Sequence, residues 1–216
     1  KPTDFKNDQI IMSMESEGGS SKIALNDLPS ATLADAVISY NGIGEFSVLD
    51  LQKVLTGKKV SVAPSISPYS ESMSGSSTVK DFETMMQLTY LYFTAPRQDD
   101  QAYQTLISML ETQLAARDKN PKTAFSDSIQ QTTTCHSPRT LIVNLDLIKR
   151  ANQQRAIEIY KERFANPADF FVTFIGNINP NDEATRQIIC TWLGGLKPDK
   201  SHEKYTDHGI RYPKGK

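Results

Sequence analysis

The side chains that most often bind a catalytic metal are few in this sequence, which has three histidines: His136, His202 and His208. His202 and Glu203 begin an H-E-x-x-H pattern, but the next histidine follows after six residues and not after four. At about 100° per residue, that spacing places the two imidazoles on different faces of a helix. We predict that His202 and His208 are solvated in a polar C-terminal stretch and that His136 lies in a surface turn. No metal site is predicted in this chain.

Hydroxyl and carboxylate side chains are also explained better by local structure than by catalysis. The chain has no G-x-S-x-G pattern, and its serine-rich residues 70–77 are typical of a strand with one face of small side chains. Asp81, Glu83, Asp99 and Asp100 lie at predicted helix starts, where a carboxylate complements the helix dipole. The sequence therefore predicts no catalytic residue.

Composition places the chain among ordinary globular domains. It has 216 residues, 38% hydrophobic and 23% charged, and a net charge of −1, which gives no reason to expect binding to nucleic acid. No apolar run approaches the roughly 18 residues that span a membrane. Cys135 and Cys190 do not make a disulfide framework, and we predict buried or half-buried thiols. Because the chain begins at Lys1 and not at Met, we expect it to be a piece of a longer protein.

Residues 42–96 are the most informative stretch for secondary structure. Ser47 is the predicted N-cap of a short helix, which Gly57 ends. Two strands follow, over residues 59–66 and 69–77, because apolar and polar side chains alternate there.

A long helix is predicted next, capped by Ser77 or Thr78 and stopped by Pro96. Its apolar face consists of residues three or four positions apart. They are Val79, Phe82, Met86, Tyr90 and Phe93.

The rest of the chain alternates between helical and strand patterns. Helices are predicted over residues 30–40, 99–119, 121–133, 153–164 and 182–193, and strands over residues 8–16 and 170–175. The nearly continuous apolar run at 170–175 is typical of a central strand that is covered on both faces. A mostly antiparallel sheet with helices on one face, an α+β fold in the form of a two-layer α/β sandwich, accounts for these elements.

Several short motifs occur in order along residues 7–198: GEFS, DLQKVLTGKKVSVAPSIS, SGSS, DFETMMQLTYLYFTAPR, AIEIYKERF, FFVTFIGN and WLG. Their order resembles the pitrilysin/insulinase superfamily of zinc peptidases, the M16 family. In that family a helix with a Y…F pattern, a strand ending in GN or GD, and a helix ending in L-G close each repeat domain. The resemblance implies the LuxS/MPP-like metallohydrolase fold, which is of the two-layer kind predicted above.

The catalytic domain of an M16 peptidase carries an inverted zinc motif, H-x-x-E-H, on its first long helix. Its two histidines bind zinc and its glutamate activates water. The matching helix here reads LADAVIS over residues 33–39, with Asp35 and Ser39 at the ligand positions and Ile38 at the position of the base. Isoleucine cannot take a proton, and serine is a poor zinc ligand. The resemblance thus implies a repeat domain with no catalytic and no metal-binding residue.

What the resemblance implies further concerns the parent protein. Residues 1–196 would form a non-catalytic domain, the third of a four-domain peptidase, and residues 197–216 a polar linker to a following domain. Zinc is expected in the catalytic domain of the parent and not in this fragment. The domain is expected to form part of a chamber that holds unfolded peptide, and adding a peptide strand to an exposed sheet edge is one way to bind substrate. Its expected partners are other M16 domains of the same chain or a partner subunit, and a peptide substrate.

Two alternatives stay open. M16-like subunits without the zinc motif also serve as structural cores or inactive partners in larger complexes, and an H-x-x-E-H sequence elsewhere in the same gene or in a neighbouring gene would separate the two roles. A stand-alone enzyme would need catalytic residues that the sequence does not display. Localisation is undecided, although bacterial multi-domain members are often periplasmic, which favours that compartment.

Overall fold

A four-stranded antiparallel sheet forms one layer of the protein. The computed structural model describes residues 7–117, 119–199 and 202–214, so the first six residues of the predicted domain and residues 200, 201, 215 and 216 of the predicted linker lie outside it. In chain order the strands are β1 (Ile10–Glu17), β2 (Val60–Ile66), β3 (Ser70–Ser77) and β4 (Phe171–Gly176). Their spatial order is β2-β3-β1-β4, and each neighbouring pair is antiparallel. Strands β3 and β1 are thus the inner strands, and β2 and β4 are the edges.

Helices form the second layer. They are α1 (Leu28–Asn41), α2 (Val48–Val54), α3 (Phe82–Thr94), α4 (Asp100–Arg117), α5 (Pro121–Thr133), α6 (Leu145–Arg150), α7 (Gln153–Arg163) and α8 (Glu183–Trp192). Single turns of 3-10 helix occupy Gly19–Lys22, Leu25–Asp27 and Pro167–Asp169. Among the described helices, none is long and apolar enough to cross a membrane.

The core lies between the helices and one face of the sheet. Along β1, exposed side chains alternate with Ile10, Met12 and Met14, which are at most 2% exposed. This period of two is what a strand with one covered face requires. Helices α1 and α3 both contact β2, and α3 also contacts β3. The predicted α+β fold with helices on one face is therefore confirmed.

The two predicted helix caps turn out differently. The Ser47 hydroxyl accepts a hydrogen bond from the Asp50 N–H at 3.2 Å, as predicted for the start of α2. Helix α3, however, begins only at Phe82, and Thr78 instead accepts from the Asp81 N–H within the preceding turn. Val79 precedes the helix and is 48% exposed, so its assignment to the apolar face was wrong.

Strand β4 departs from its prediction as a central, fully covered strand. It is an edge of the described sheet, and Phe171 and Ile175 are 78% and 43% exposed. The prediction of buried or half-buried thiols was also wrong, since Cys135 and Cys190 are both exposed. Cys135 lies in the turn after α5, and Cys190 is an exposed residue of α8.

The polar C-terminal stretch lies against the domain. The rings of Tyr205 and Tyr69 meet edge to face, with their centroids 5.3 Å apart. The Thr206 N–H donates to the Ser21 hydroxyl at 2.8 Å. These contacts bring part of residues 202–214 onto the surface of the domain, while its role as a linker to a further domain stays a prediction.

Candidate functional site: the zinc-motif helix and the open face of the sheet

Helix α1 carries the three positions that correspond to the zinc motif. Ile38 has no exposed surface, so the position of the base is closed to water. The Asp35 carboxylate accepts hydrogen bonds from the N–H of Ala36 at 2.7 Å and from the N–H of Ile66, on β2, at 3.4 Å. The Ser39 hydroxyl donates to the Asp35 carbonyl oxygen at 2.8 Å. The polar side chains at these positions are therefore hydrogen-bonded to other groups of the same domain.

The chemistry of these positions does not suit a metal. Burial raises the pKa of Asp35, and hydrogen bonds from Ala36 and Ile66 only partly oppose that effect. A catalytic zinc ion needs three protein ligands and an open position, which one half-buried carboxylate beside an isoleucine does not supply. In the part of the chain that the structure describes, no group of three or more His, Cys, Asp or Glu side chains could hold a metal ion. The three positions therefore do not fit zinc.

The histidines have separate local partners. His202 Nδ1 lies 2.7 Å from an Asp169 carboxylate oxygen, and His208 Nε2 lies 2.7 Å from the Ser21 carbonyl oxygen. Both are exposed, as predicted, but each is hydrogen-bonded to the domain and is not fully solvated. His136 is exposed in the turn after α5, as predicted, with a φ of 53°.

The face of the sheet that points away from the core is open. Its side chains are exposed or half-buried, and they form three rows across the four strands. From β2 to β4 the rows are Ser61, Ser76, Ile11 and Ile175; Ala63, Ser74, Ser13 and Thr173; and Ser65, Ser72, Glu15 and Phe171. We call this surface the open face. It is lined by small hydroxyl side chains towards β2 and carries large apolar side chains towards β4.

The edge formed by β2 is blunted. The Ser67 N–H donates to the Ser70 carbonyl oxygen at 2.8 Å, so the odd-numbered residues bond to β3 and the even-numbered residues of β2 face outwards. Of these, Pro64 has no N–H, and the N–H of Ile66 is taken by Asp35. Proline and occupied donors are common ways to protect an edge strand from pairing.

The edge formed by β4 differs in composition from that formed by β2. The Asn177 N–H donates to the Gln9 carbonyl oxygen at 3.1 Å, so the odd-numbered residues bond to β1. The backbone groups of Val172 and Phe174 therefore face outwards. The strand Phe171–Gly176 contains neither proline nor a charged residue.

The chain is similar in sequence to proteins that are named zinc proteases. No family model matches the chain. A relative from Arabidopsis thaliana named "zinc protease PQQL-like" is 24% identical over 199 residues, which cover 91% of this chain and 18% of that protein. The chain spans 18% of the length of the curated relatives that it matches.

Solved structures agree in fold. The crystal structure of the periplasmic protease PqqL from Escherichia coli superposes with a TM-score of 0.77 at 20% identity, over 95% of this chain and 22% of that one. An M16 peptidase inactive domain from Pseudomonas fluorescens has a TM-score of 0.70 at 13% identity, over 95% of this chain and 50% of that one. The chain is an M16-type domain. The family resemblance of its motifs is thereby confirmed.

The M16-type domain also buries a cluster of charges that the sequence did not indicate. A Cβ atom at Gly18 would lie 2.8 Å from Arg163 Nη1, 3.2 Å from Glu203 Oε2 and 3.3 Å from Glu71 Oε1, so the three charged groups meet at one point. Glu71 is 2% exposed and accepts from the Gly19 N–H at 2.7 Å. Arg163 donates to Glu203 at 2.5 Å. Arg163 thus pairs with Glu203 and lies near Glu71, while Lys22 Nζ is 3.8 Å from the other oxygen of Glu203. We call Glu71, Arg163 and Glu203 the Glu71 cluster.

The Glu71 cluster predicts a pH-dependent stability. Burial raises the pKa of Glu71 from its ordinary 4.5 to about 7; the Gly19 N–H and Arg163 oppose this rise, and Glu203 adds to it. The folded state therefore holds the proton more tightly than the unfolded chain. The resulting stability is present below pH 4.5 and is lost as the pH rises through 7. We expect a loss of about 2 kcal/mol in the free energy of unfolding, less than the full conversion because solvent reaches Glu203.

Urea unfolding of the wild type and of Glu71→Gln between pH 4.5 and 8 measures this effect, since glutamine keeps the shape but does not titrate. In Glu71→Gln, the free energy of unfolding should no longer show the part of its fall with pH that Glu71 causes. The exposed Glu111 on α4 provides the matched control, because Glu111→Gln should leave the slope unchanged. Equal slopes in the wild type and Glu71→Gln would contradict the prediction.

Proposed function

We propose that this domain is a non-catalytic part of a zinc-dependent M16 peptidase, in which it helps to enclose and bind the peptide substrate. The observation that carries the proposal is the replacement of every functional position of the zinc motif, by Asp35, Ile38 and Ser39, in a domain with the M16 fold. A domain that keeps the scaffold but not the metal ligands can contribute surface and position, not chemistry.

The names and lengths of the relatives support a full-length parent protein with several domains. They are named zinc proteases and are much longer than this chain, so zinc and the hydrolytic step would belong to another domain of the same polypeptide. In that arrangement this chain is the third of four domains, and its partners are the other M16 domains and a peptide. The periplasm is the proposed compartment, since the PqqL structure is that of a periplasmic protease.

The open face is the proposed peptide-facing surface. The helices cover the opposite face, so this side of the sheet is free to line a chamber. Ile11, Phe171 and Ile175 offer apolar contact area, and the serine side chains of the open face offer hydroxyl donors and acceptors. Unfolded peptide presents both apolar side chains and unpaired backbone groups, so both kinds of contact are useful.

Zinc content and hydrolysis of an unstructured peptide test the proposal on the 216-residue chain and on the full-length parent. The isolated chain should contain no bound zinc and cut nothing, whereas the parent should contain about one zinc ion per molecule and cut the peptide. The parent carrying Ser39→Ala serves as the control and should keep its zinc. A parent without zinc and without cleavage would favour the structural-subunit role, and stoichiometric zinc in the isolated chain would overturn the assignment of α1.

A further inference from the structure

A cleft of about 440 Å³ lies between the N-terminal half of α1, the end of α5, the turn that joins β2 to β3, and the C-terminal stretch. Its size is typical of a site for a small ligand. None of the side chains of the open face lines it. The cleft is therefore separate from the surface to which the proposed function assigns the peptide.

One permanently charged side chain, Arg139, lines the cleft. Its Nη1 donates to the Ile23 carbonyl oxygen at 3.0 Å, and its Nη2 donates to the same oxygen at 2.6 Å and to the Ser21 carbonyl oxygen at 3.3 Å. Within the residues that the structure describes, no carboxylate forms an ion pair with Arg139, and its Nε–H has no acceptor. The guanidinium is thus held in place by backbone oxygens that do not neutralise its charge.

His208, from the C-terminal stretch, meets Arg139 at the same backbone oxygen. Its Nε2 lies 2.7 Å from the Ser21 carbonyl oxygen, which also accepts from Arg139 Nη2. Because a carbonyl oxygen can only accept, Nε2 carries the hydrogen of that bond. The Ser21 hydroxyl in turn accepts from the Thr206 N–H, so Ser21 holds both nitrogen-bearing side chains at one end of the cleft.

Apolar side chains and a few hydroxyl groups line the rest of the cleft. They include Leu28, Ile66 and Leu141 among the apolar residues, and Thr32 and Thr140 among those with a hydroxyl. The Thr32 hydroxyl donates to the Leu28 carbonyl oxygen at 2.8 Å, so its own oxygen can accept from an N–H group. A ligand that fits these features has one negative charge, an apolar side chain and an N–H donor.

We propose that the cleft binds the C-terminal residue of a peptide, with the α-carboxylate at Arg139 and an apolar side chain against Leu28 and Leu141. A carboxylate forms strong, charge-assisted hydrogen bonds with a guanidinium, and capture of a terminal carboxylate is a recurring way to recognise a peptide. That the ligand is a peptide rests on the proposed function. Binding itself needs neither zinc nor cleavage, so the two proposals can be tested separately.

Two other anionic ligands fit the cleft less well. A phosphorylated side chain carries close to two negative charges at neutral pH, whereas Arg139 supplies one positive charge. A fatty acid would cover polar groups of the cleft, such as the Thr140 hydroxyl, without offering them a hydrogen bond. A peptide end supplies one charge together with an amide N–H.

A nuclear magnetic resonance titration of the 216-residue chain with three short peptides tests the proposal. The first is N-acetylated and ends in leucine with a free carboxylate, the second is its C-terminal amide, and the third is that amide with a glutamate in its middle. We expect the first to bind with a Kd below about 1 mM and to shift the amide signals of Ser20, Thr32 and Thr140. Both amidated peptides should bind at least about 10-fold more weakly.

Replacement of the arginine gives a second readout. Arg139→Met should weaken binding of the free-acid peptide to the level of its amide, and Arg139→Lys, which keeps the charge, should lose less. Arg150→Met provides the matched control, because Arg150 is 57% exposed, pairs with Asp146 and does not line the cleft. It should leave the Kd unchanged.

A further variant avoids Arg139, which also bonds to the backbone of two other residues. Gln130 is exposed on α5 and lines the cleft, so Gln130→Trp should fill part of it and weaken binding of the free-acid peptide by a similar factor. Ser128→Trp adds the same side chain to an exposed position of α5 that does not line the cleft, and it should have no effect.

Several results would overturn the inference. Equal affinity for the free-acid peptide and its amide would exclude recognition of the carboxylate, and equally tight binding of the glutamate peptide would assign the cleft to an acidic side chain. Shifts confined to Ser74 and Thr173 would place the peptide on the open face alone. Displacement by an equal concentration of inorganic phosphate would show that charge alone is recognised. Zinc content and cleavage by the parent report separately on the proposed function.

Discussion

Replacing Ile38 with glutamate, the residue that the zinc motif carries at this position, is expected to destabilise the domain by at least about 4 kcal/mol and to create no zinc site. Ile38 has no exposed surface and belongs to the same core cluster as Val37 and Met12. A carboxylate there would be buried without a partner, or would have to take up a proton at a large cost. The side chain at position 38 therefore contributes to core packing and not to a metal site.

Two control substitutions separate the effect of a buried charge from that of a changed side chain. Ile38→Leu keeps the apolar volume and should cost less than about 1.5 kcal/mol. Ser39→His adds a second motif residue at an exposed position and should stay within about 0.5 kcal/mol of the wild type. Denaturant unfolding, followed by near-ultraviolet circular dichroism, measures all three. An Ile38→Glu domain of near wild-type stability would show that position 38 can open to solvent, contrary to its packing.

Arg163→Met should cost about 3 to 5 kcal/mol at pH 8, the largest effect expected of any charged residue here. The Arg163 side chain is only 9% exposed, and its removal leaves two neighbouring carboxylates, Glu71 and Glu203, with only Lys22 Nζ, 3.8 Å from Glu203, as a nearby cation. The loss should be smaller at pH 5, because Glu71, whose pKa is raised to about 7, is then protonated. An ordinary surface ion pair would show the same direction only at lower pH, near the usual carboxylate pKa, whereas here the change falls between pH 8 and pH 5.

A triple variant separates a lost charge balance from lost packing. Combining Arg163→Met with Glu71→Gln and Glu203→Gln removes every charge of the cluster and should recover much of the stability at pH 8, since neutral replacement of a buried ion network is often tolerated. Urea unfolding at pH 5 and pH 8 provides the measurement. If the triple variant is no more stable than Arg163→Met at pH 8, the arginine contributes by its packing and not by its charge.

Local sequence patterns were sufficient where the determining contacts are local. The alternation along β1 identified its buried face, and Ser47 was recognised as a cap because its partner, Asp50, lies three residues away. The loss of the zinc motif could also be read directly, since Ile38 and Ser39 occupy positions whose chemistry depends on residue type alone. These features account for the fold class and for the absence of a catalytic prediction.

Features that depend on distant contacts could not be predicted. Glu71, Arg163 and Glu203 come from a strand, a helix end and the C-terminal stretch, and no local pattern links them. The apolar run of β4 predicted a central, covered strand, which was wrong for the described sheet, because the composition of a strand does not fix its place in the sheet. Val79 was misplaced because the apolar spacing continues past the turn at which α3 begins.

The many small side chains in the three rows of the open face affect how a bound polypeptide could move. Eight of the twelve positions in the three rows hold Ser, Thr or Ala, so the surface has few shape features that select one side chain over another. A polypeptide lying on it would meet hydroxyl partners in every register, and a shift along the face would change its energy little. If the proposed function holds, such a surface would retain chains of many sequences while letting them slide, and the choice of cleavage site would rest with the proposed catalytic domain.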